Sequence, residues 1–380
     1  MATQIIHTGG SAAASACSPQ VICVGPNGQF QTINDALASI TDEGPTKQYN
    51  IHVSPGIYTE DVVLRRWINL CGCSSFGPEL STVIEGTGPT TLQIPQGDVV
   101  VSHIAARINS ANATDAALRV VDDGDPTPTL NPPFMVYYVS QAFGGARGTS
   151  IETAGLITIT GGHDAYDMGV GVHLDPGTLY FHLGAGGVGV NTNGVNPGSS
   201  RGIESIDGFV LLSGGCSVGA DQAAGTAIYA YSENGQGLMV EEAVITDALN
   251  GVELADDGNQ PGVNAFLGGL TVRGGIGAGV PLRVGARSTA YVTPETRINN
   301  FGDTPLQGWV VNGSVVRQPD ATWGLGLAQA PGDQRPTAVP PPVGYKYWAT
   351  DTAIGGGPGG GVELTWTGLG WVDTAGNPVP

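Results

Sequence analysis

Charged residues are scarce in this 380-residue chain, at 12% of the total, about half the ~25% usual for a soluble domain. A lone soluble monomer displays charge to stay in solution, so the shortage points to surface that faces other chains. Basic residues are fewest: 14 Lys and Arg stand against 33 Asp and Glu, for a net charge of -19. No Lys or Arg run offsets this, so the chain would repel a phosphate backbone, and no nucleic-acid partner is expected.

Long hydrophobic runs are missing too. Nothing approaches the ~20 consecutive apolar residues of a membrane span, so no membrane partner is expected. Met1 to Cys17 lacks both the positive start and the apolar stretch of a secretory signal. The five cysteines (17, 23, 71, 73 and 216) form an odd set. Cys71-Gly72-Cys73 has neither a second Cys pair nor a His-x-x-His to complete a metal site, so structural thiols packing as small hydrophobes are expected. Gly-x-Ser-x-Gly and Gly-Lys-Ser/Thr are absent as well, which removes nucleophile-elbow hydrolases and phosphate-loop proteins.

Glycine (61) and proline (26), by contrast, are abundant, while a hydrophobic content of 41% argues against disorder. So much glycine beside so much apolar surface implies many short strands and frequent turns, an all-β protein. Residues 1–20, rich in Ala, Ser and Gly, read as an N-terminal arm. Within Thr32–Ile40, Ile33, Ala36, Leu37 and Ile40 have helical spacing, with Thr32 or Asn34 as the cap. Strand-like pieces follow from Thr82–Glu85 through Ala290–Thr293, and Val139, Ile159 and Leu179 each lie at the heart of one, evenly spaced. Later pieces recur less evenly. Sandwich strands recur more closely than this, so a solenoid with loops of varying length fits better. Two polar stretches, 122–133 and 184–200, read as loops on that scaffold.

The opening of this series carries a resemblance. Gly25-Pro26-Asn27-Gly28-Gln29-Phe30-Gln31-Thr32-Ile33, then Pro55-Gly56-Ile57-Tyr58-Thr59-Glu60, then Thr82-Val83-Ile84-Glu85-Gly86 resemble the first coils of the right-handed parallel β-helix of pectinesterases, pectin lyases and viral tail-spikes. The resemblance implies such a β-helix over 21–327, plugged at its start by the short helix. Residues 328–343, with Pro331, Pro336 and Pro340 to Pro342, read as a stiff linker. Gly344-Tyr345-Lys346-Tyr347-Trp348-Ala349-Thr350-Asp351 and Thr365-Trp366-Thr367-Gly368-Leu369-Gly370-Trp371-Val372-Asp373 resemble a small C-terminal module of bacteriophage tail fibres. Here Trp348 replaces a Phe, and a glycine run lengthens the hairpin. Residues 344–380 are therefore expected to form a small aromatic β module.

No catalytic, cofactor-binding or metal-binding residue is assigned from the sequence. The later pectinesterase motifs, Gln-Asp-Thr-Leu, Asp-Phe-Ile-Phe-Gly and Arg-Pro-Trp, do not occur. Asp122, Asp123 and Asp125, and Asp256-Asp257-Gly258-Asn259, lack the spacing of a calcium loop and read as turns. Carboxylate pairs for a glycosidase would be Glu204 with Asp207 or Asp164 with Asp167; Glu241 and Glu242, adjacent on a strand, point to opposite faces. His163, His173 and His182, with Asp164, Asp167 and Asp175, form the densest imidazole region, at spacings that match no ligand motif and read as buried, hydrogen-bonded histidines.

The sequence thus leads to an expected virion structural protein, of the tail-spike, fibre or capsid-decoration kind, assembled in a host cytoplasm. Its expected partners are copies of itself in a homotrimer, other virion proteins and host-surface polysaccharide. A polysaccharide-degrading enzyme on the same solenoid is the alternative, and a bacterial surface adhesin the second. No cofactor is expected.

Overall fold

Every pairing between strands from Gln20 to Arg317 is parallel, and the partners come from successive turns of the chain. The computed structural model describes residues 20–72, 82–125 and, with gaps, 131–292, together with the backbone of short strands between 297 and 379. One turn shows the plan. Arg201–Ile206 lies in a ten-stranded sheet (sheet 2), Phe209–Ser213 in a twelve-stranded sheet (sheet 1), and Ser217–Gly219 in a five-stranded sheet on the third side. Thr226 then pairs with Arg201, and the next turn begins. A four-stranded sheet closes the third side in the early turns. The result is the expected all-β, right-handed parallel β-helix.

Alternation fixes which residues fill it. In a strand, successive side chains point to opposite faces, so one column of each sheet faces inward through every turn. On sheet 1 that column includes Ile51, Leu70, Val101 and Met135, all fully buried. Sheet 2 contributes Ile203, Ile228 and Val252. Each such side chain contributes about 1.5–3 kcal/mol through burial, and each rests on its counterpart one turn away.

The recurrence is less even than Val139, Ile159 and Leu179 suggest. Ile159 and Leu179 belong to sheet 1, but Val139 lies on the third side. True partners on sheet 1 are Ile51 and Leu70, Val101 and Met135, and Leu156 and Leu179, three unequal intervals. Loops at the corners absorb the difference, so no fixed period survives in the sequence.

The capping helix is Ile33–Ser39, with Thr32 as N-cap accepting from the Asp35 amide. Its ends are tied to the first coil. The Glu60 carboxylate accepts from the amides of Ile33 (2.8 Å) and Asn34 (2.9 Å), two donors that a helix start leaves unpaired. At the other end the Arg65 guanidinium donates to the carbonyls of Leu37 and Ile40. Ile33, Ala36 and Leu37 are buried against the first strands. The Pro-Gly-x-Tyr-x-Glu phrase therefore has a structural explanation. Tyr58 is buried and donates to the Ser54 carbonyl, and Glu60 holds the plug. Gly25 is required nearby: its φ is +137°, and a Cβ there would sit 2.6 Å from that of Ser54.

Near the C-terminus, strands Lys346–Ala349, Val362–Trp366, Trp371–Asp373 and Pro378–Val379 pair antiparallel, with Trp366 opposite Trp371. Gln329–Ala330, within the expected linker, pairs parallel with Trp348–Ala349.

His182 stands in the inward column of sheet 1, one turn before the fully buried Leu212. It is 1% exposed, its Nδ1 meets the Tyr180 hydroxyl at 3.2 Å, and its Nε2 has no partner among the described atoms. Burial pushes its pKa from 6.5 down to about 4.

These contacts can be tested. Glu60→Gln weakens both charge-assisted helix bonds, and should cost about 1–2 kcal/mol. It should speed amide exchange in Ile33–Ser39 first, and unchanged exchange there would refute the capping role. At His182, the unfolded chain binds a proton below pH 6.5 that the folded chain refuses until about pH 4. This contribution is therefore full above pH 6.5 and is lost as pH falls toward 4, by up to about 3 kcal/mol. His182→Leu should flatten that dependence in urea midpoints across the window, and a slope equal to that of the parent would count against it.

Candidate functional site

Sheet 2 gathers the charge that the rest of the solenoid lacks. Its pairings align an outward column of Arg119, Ser150, His173, Glu204, Tyr229, Glu253 and Arg283, one residue per turn. Strands in a sheet lie ~4.8 Å apart, so each side chain meets those above and below it. Arg147 and Arg201 stand beside the column on the same face, as do Glu152 and Asp175.

His173 is the centre. Its Nδ1 meets Glu204 Oε2 at 2.7 Å and its Nε2 meets Asp175 Oδ1 at 3.0 Å, so two carboxylates bracket one ring. The other Glu204 oxygen accepts from Arg201, whose guanidinium lies 3.5 Å over the Tyr229 ring. Two turns before Glu204, Glu152 accepts from both Arg119 and Ser150, and two turns after it Glu253 faces Arg283. The His173 and Glu204 side chains are 9% and 14% exposed, while Asp175 is 42% exposed. Burial alone would raise the Glu204 pKa, but the His173 hydrogen bond and the Arg201 charge together hold it below the usual carboxylate value.

Chemically, this is a rigid comb of donors and acceptors with one accessible carboxylate, Asp175, backed by an imidazole. Hydroxyl-rich ligands fit such a surface. Proton transfer would have to start at Asp175, with His173 behind it, because Asp175 is the exposed carboxylate and Glu204 lies beneath the surface.

The expected pairs fare differently. Glu204 belongs to this cluster, but its sequence partner Asp207 does not: Asp207 is buried at a corner with φ +51° and accepts from the Ser232 hydroxyl and the amides of Glu233 and Asn234. Glu242 likewise occupies a corner at φ +56°, while Glu241 stays on sheet 1. His163, Asp164, Asp167, Asp256 and Asp257 lie outside the described residues, as does most of 184–200. His173 and His182 part company, one on the outer face of sheet 2 and the other in the core. The Asp122–Asp125 cluster is a turn, as read from the sequence: Asp122 accepts from the Gly124 amide, and Asp123 accepts bidentately from the buried Arg66. Among the described residues, no group of three metal-ligating side chains converges. Cys23, Cys71 and Cys216 are free thiols.

What the sequence did not disclose is the grouping of His173 with Glu204 and Arg201. A turn of irregular length separates the histidine from the other two, and only the register reveals the shared column.

No family model and no curated protein matches this chain. Among solved structures it is similar to the pectin methylesterase from carrot, at 13% identity and a TM-score of 0.37, covering 80% of this chain and 84% of that one. It is also similar to pectin methylesterase PemA from Erwinia chrysanthemi (12%, TM-score 0.30, 80% and 94%) and to rice weevil pectin methyl esterase (11%, TM-score 0.33, 82% and 92%). At these identities and TM-scores the likenesses carry no argument about activity, and the β-helix stands on its own strand pairings.

Proposed function

We propose that this chain is a structural component of a virion surface, of the tail-spike, fibre or capsid-decoration kind, that assembles as a homotrimer and binds host-surface polysaccharide without cutting it. The observation that carries this reading is the state of the sheet 2 carboxylates. A general acid needs a raised pKa and a general base needs an oxygen that its substrate can reach. Glu204 has a lowered pKa, is 14% exposed and is held by His173 and Arg201, and Glu152 is held by Arg119 and Ser150. What remains on the face is binding chemistry: Asp175, Tyr229 and the Arg283–Glu253 pair, at the ~4.8 Å repeat of the turns. The tail's resemblance to phage tail-fibre modules supports the virion setting, and its strands Lys346–Ala349, Val362–Trp366 and Trp371–Asp373 pair with one another.

A second reading, a polysaccharide-modifying enzyme, is favoured by one observation: the exposed Asp175 carboxylate backed by His173 and Glu204. It is also the kind of activity named for the similar solved structures, pectin methylesterase, whose low TM-scores lend it no weight here.

One experiment separates the two. The full chain is incubated with pectin and with bacterial surface polysaccharides, and retention, new reducing ends and released methanol are followed. Retention without turnover is expected, with Asp175→Asn and Tyr229→Ala weakening it about tenfold, roughly 1.4 kcal/mol. Turnover that Asp175→Asn or His173→Gln abolishes would overturn the structural reading in favour of the enzyme.

A further inference from the structure

We propose that the outward face of sheet 1, from Phe134 to Tyr291, is where copies of this chain pack against one another. Strand register places Phe134, Phe181, Leu211, Met239, Phe266 and Tyr291 in one outward column, with Thr158 between the first two. All are partly solvent accessible, while the alternate residues beside them, such as Met135, Tyr180 and Val240, are fully buried in the core. Phe266 stacks on Tyr291 at 5.3 Å between centroids. The column next to it adds Leu179, which is 40% exposed, and Phe209, whose ring meets Phe181 edge-on.

Three observations make the occupant a second copy of this chain. The first is charge. The protein carries a net charge of -19, so identical chains repel one another wherever acids face outward. On the seven strands of this face Glu241 is the one charged side chain, whereas the seven sheet 2 strands from Ala116–Val121 to Leu282–Val284 carry seven Arg and Glu. A basic partner would be drawn to acidic surface, but an acidic copy of the same chain needs a face without it.

The second is area. Seven strands ~4.8 Å apart, with outward positions spanning ~15 Å, give a strip of roughly 450 Å² in plan. That lies within the ~300–600 Å² of the largest apolar patch on a typical monomer, a patch that is often functional. Around a threefold axis each copy divides its strip between two neighbours, so three copies together hide about 1,350 Å² before any rim is counted.

The third is period. The side-chain ridges recur once per turn, and another solenoid is the partner that presents the same repeat, so ridges and grooves mesh along the whole strip. At one edge of the strip the corners are Gly184, Gly214, Gly215 and Gly269, all with positive φ, and the exposed Glu242 stands among them. The glycines add no side chain that would hold a copy away, and Glu242 with Glu241 marks the rim of the contact.

Such packing supplies the surface for the assembly step of the proposed function, and so rests on that reading. Sedimentation of the full chain at micromolar concentration reads both, and they can fail separately. A trimer is expected for the parent, and monomer for Phe181→Asp combined with Met239→Asp. Thr158→Asp alters an already polar position in the same column, so it guards against misfolding and should also weaken association at least tenfold, with an unchanged circular dichroism spectrum. A parent trimer that survives these substitutions in folded variants would overturn this interface and leave assembly standing. A parent that stays monomeric would overturn both. Lost polysaccharide retention in a Phe181→Asp variant that stays a folded trimer would mark the face as a sugar platform, and would likewise overturn the inference.

Discussion

Parallel, in-register stacking of one turn on the next is the constraint from which everything else here follows. Because each residue lies over its counterpart ~4.8 Å away, the solenoid is a bundle of columns, and a column tolerates only certain neighbours. Inward columns are continuous hydrocarbon, as at Ile203, Ile228 and Val252. Asparagines stack in the same way outside the core, where Asn69 donates to Asn50 and accepts from the Val100 amide of the following turn. The ends of the columns are the weak points, since they expose both edges and apolar interior. Glu60 and Arg65 hold a helix over one of them.

The same constraint explains the charged column of sheet 2 without recourse to catalysis. Like charges one turn apart destabilise a pair of strands. In the order Arg119, Ser150, His173, Glu204, Tyr229, Glu253, Arg283, the two glutamates never touch because Tyr229 separates them, and each has a cation or imidazole as neighbour. Mutual neutralisation is what stacking demands of any charged column. That such a column is also a set of fixed donors and acceptors is what makes it useful to a hydroxyl-rich ligand, and it requires no group with a catalytic pKa.

How much of this the sequence disclosed follows from the distance over which each feature is written. The capping helix and its Thr32 cap were legible because a helix is local, and the first coil was legible because its turn chemistry lies within Pro55–Glu60. The all-β solenoid followed from glycine-punctuated strands. The columns were not legible, because corner loops make the turns unequal, as the pairs Ile51–Leu70 and Val101–Met135 show. A shift of a single position turns a side chain from the core to the surface. That is why His182 could be grouped with His173, although one is in the core and the other outside, and why Glu204 was matched with Asp207 instead of with His173.

The enzyme-like opening takes its meaning from this. Glycine at Gly25, the buried Tyr58 hydroxyl and the Glu60 carboxylate are all committed to starting a solenoid and plugging its end. Any protein that begins a β-helix in this way needs them, whatever its later turns do, so the phrase identifies a scaffold and is silent on chemistry. Function on such a scaffold has to be written on outward columns, and here two of them differ in kind. Sheet 2 concentrates charge and hydrogen-bonding capacity, and sheet 1 is almost without charge in a chain of net -19. The proposed assembly would use the sheet 1 face to hold its copies together and the sheet 2 face to meet what lies outside.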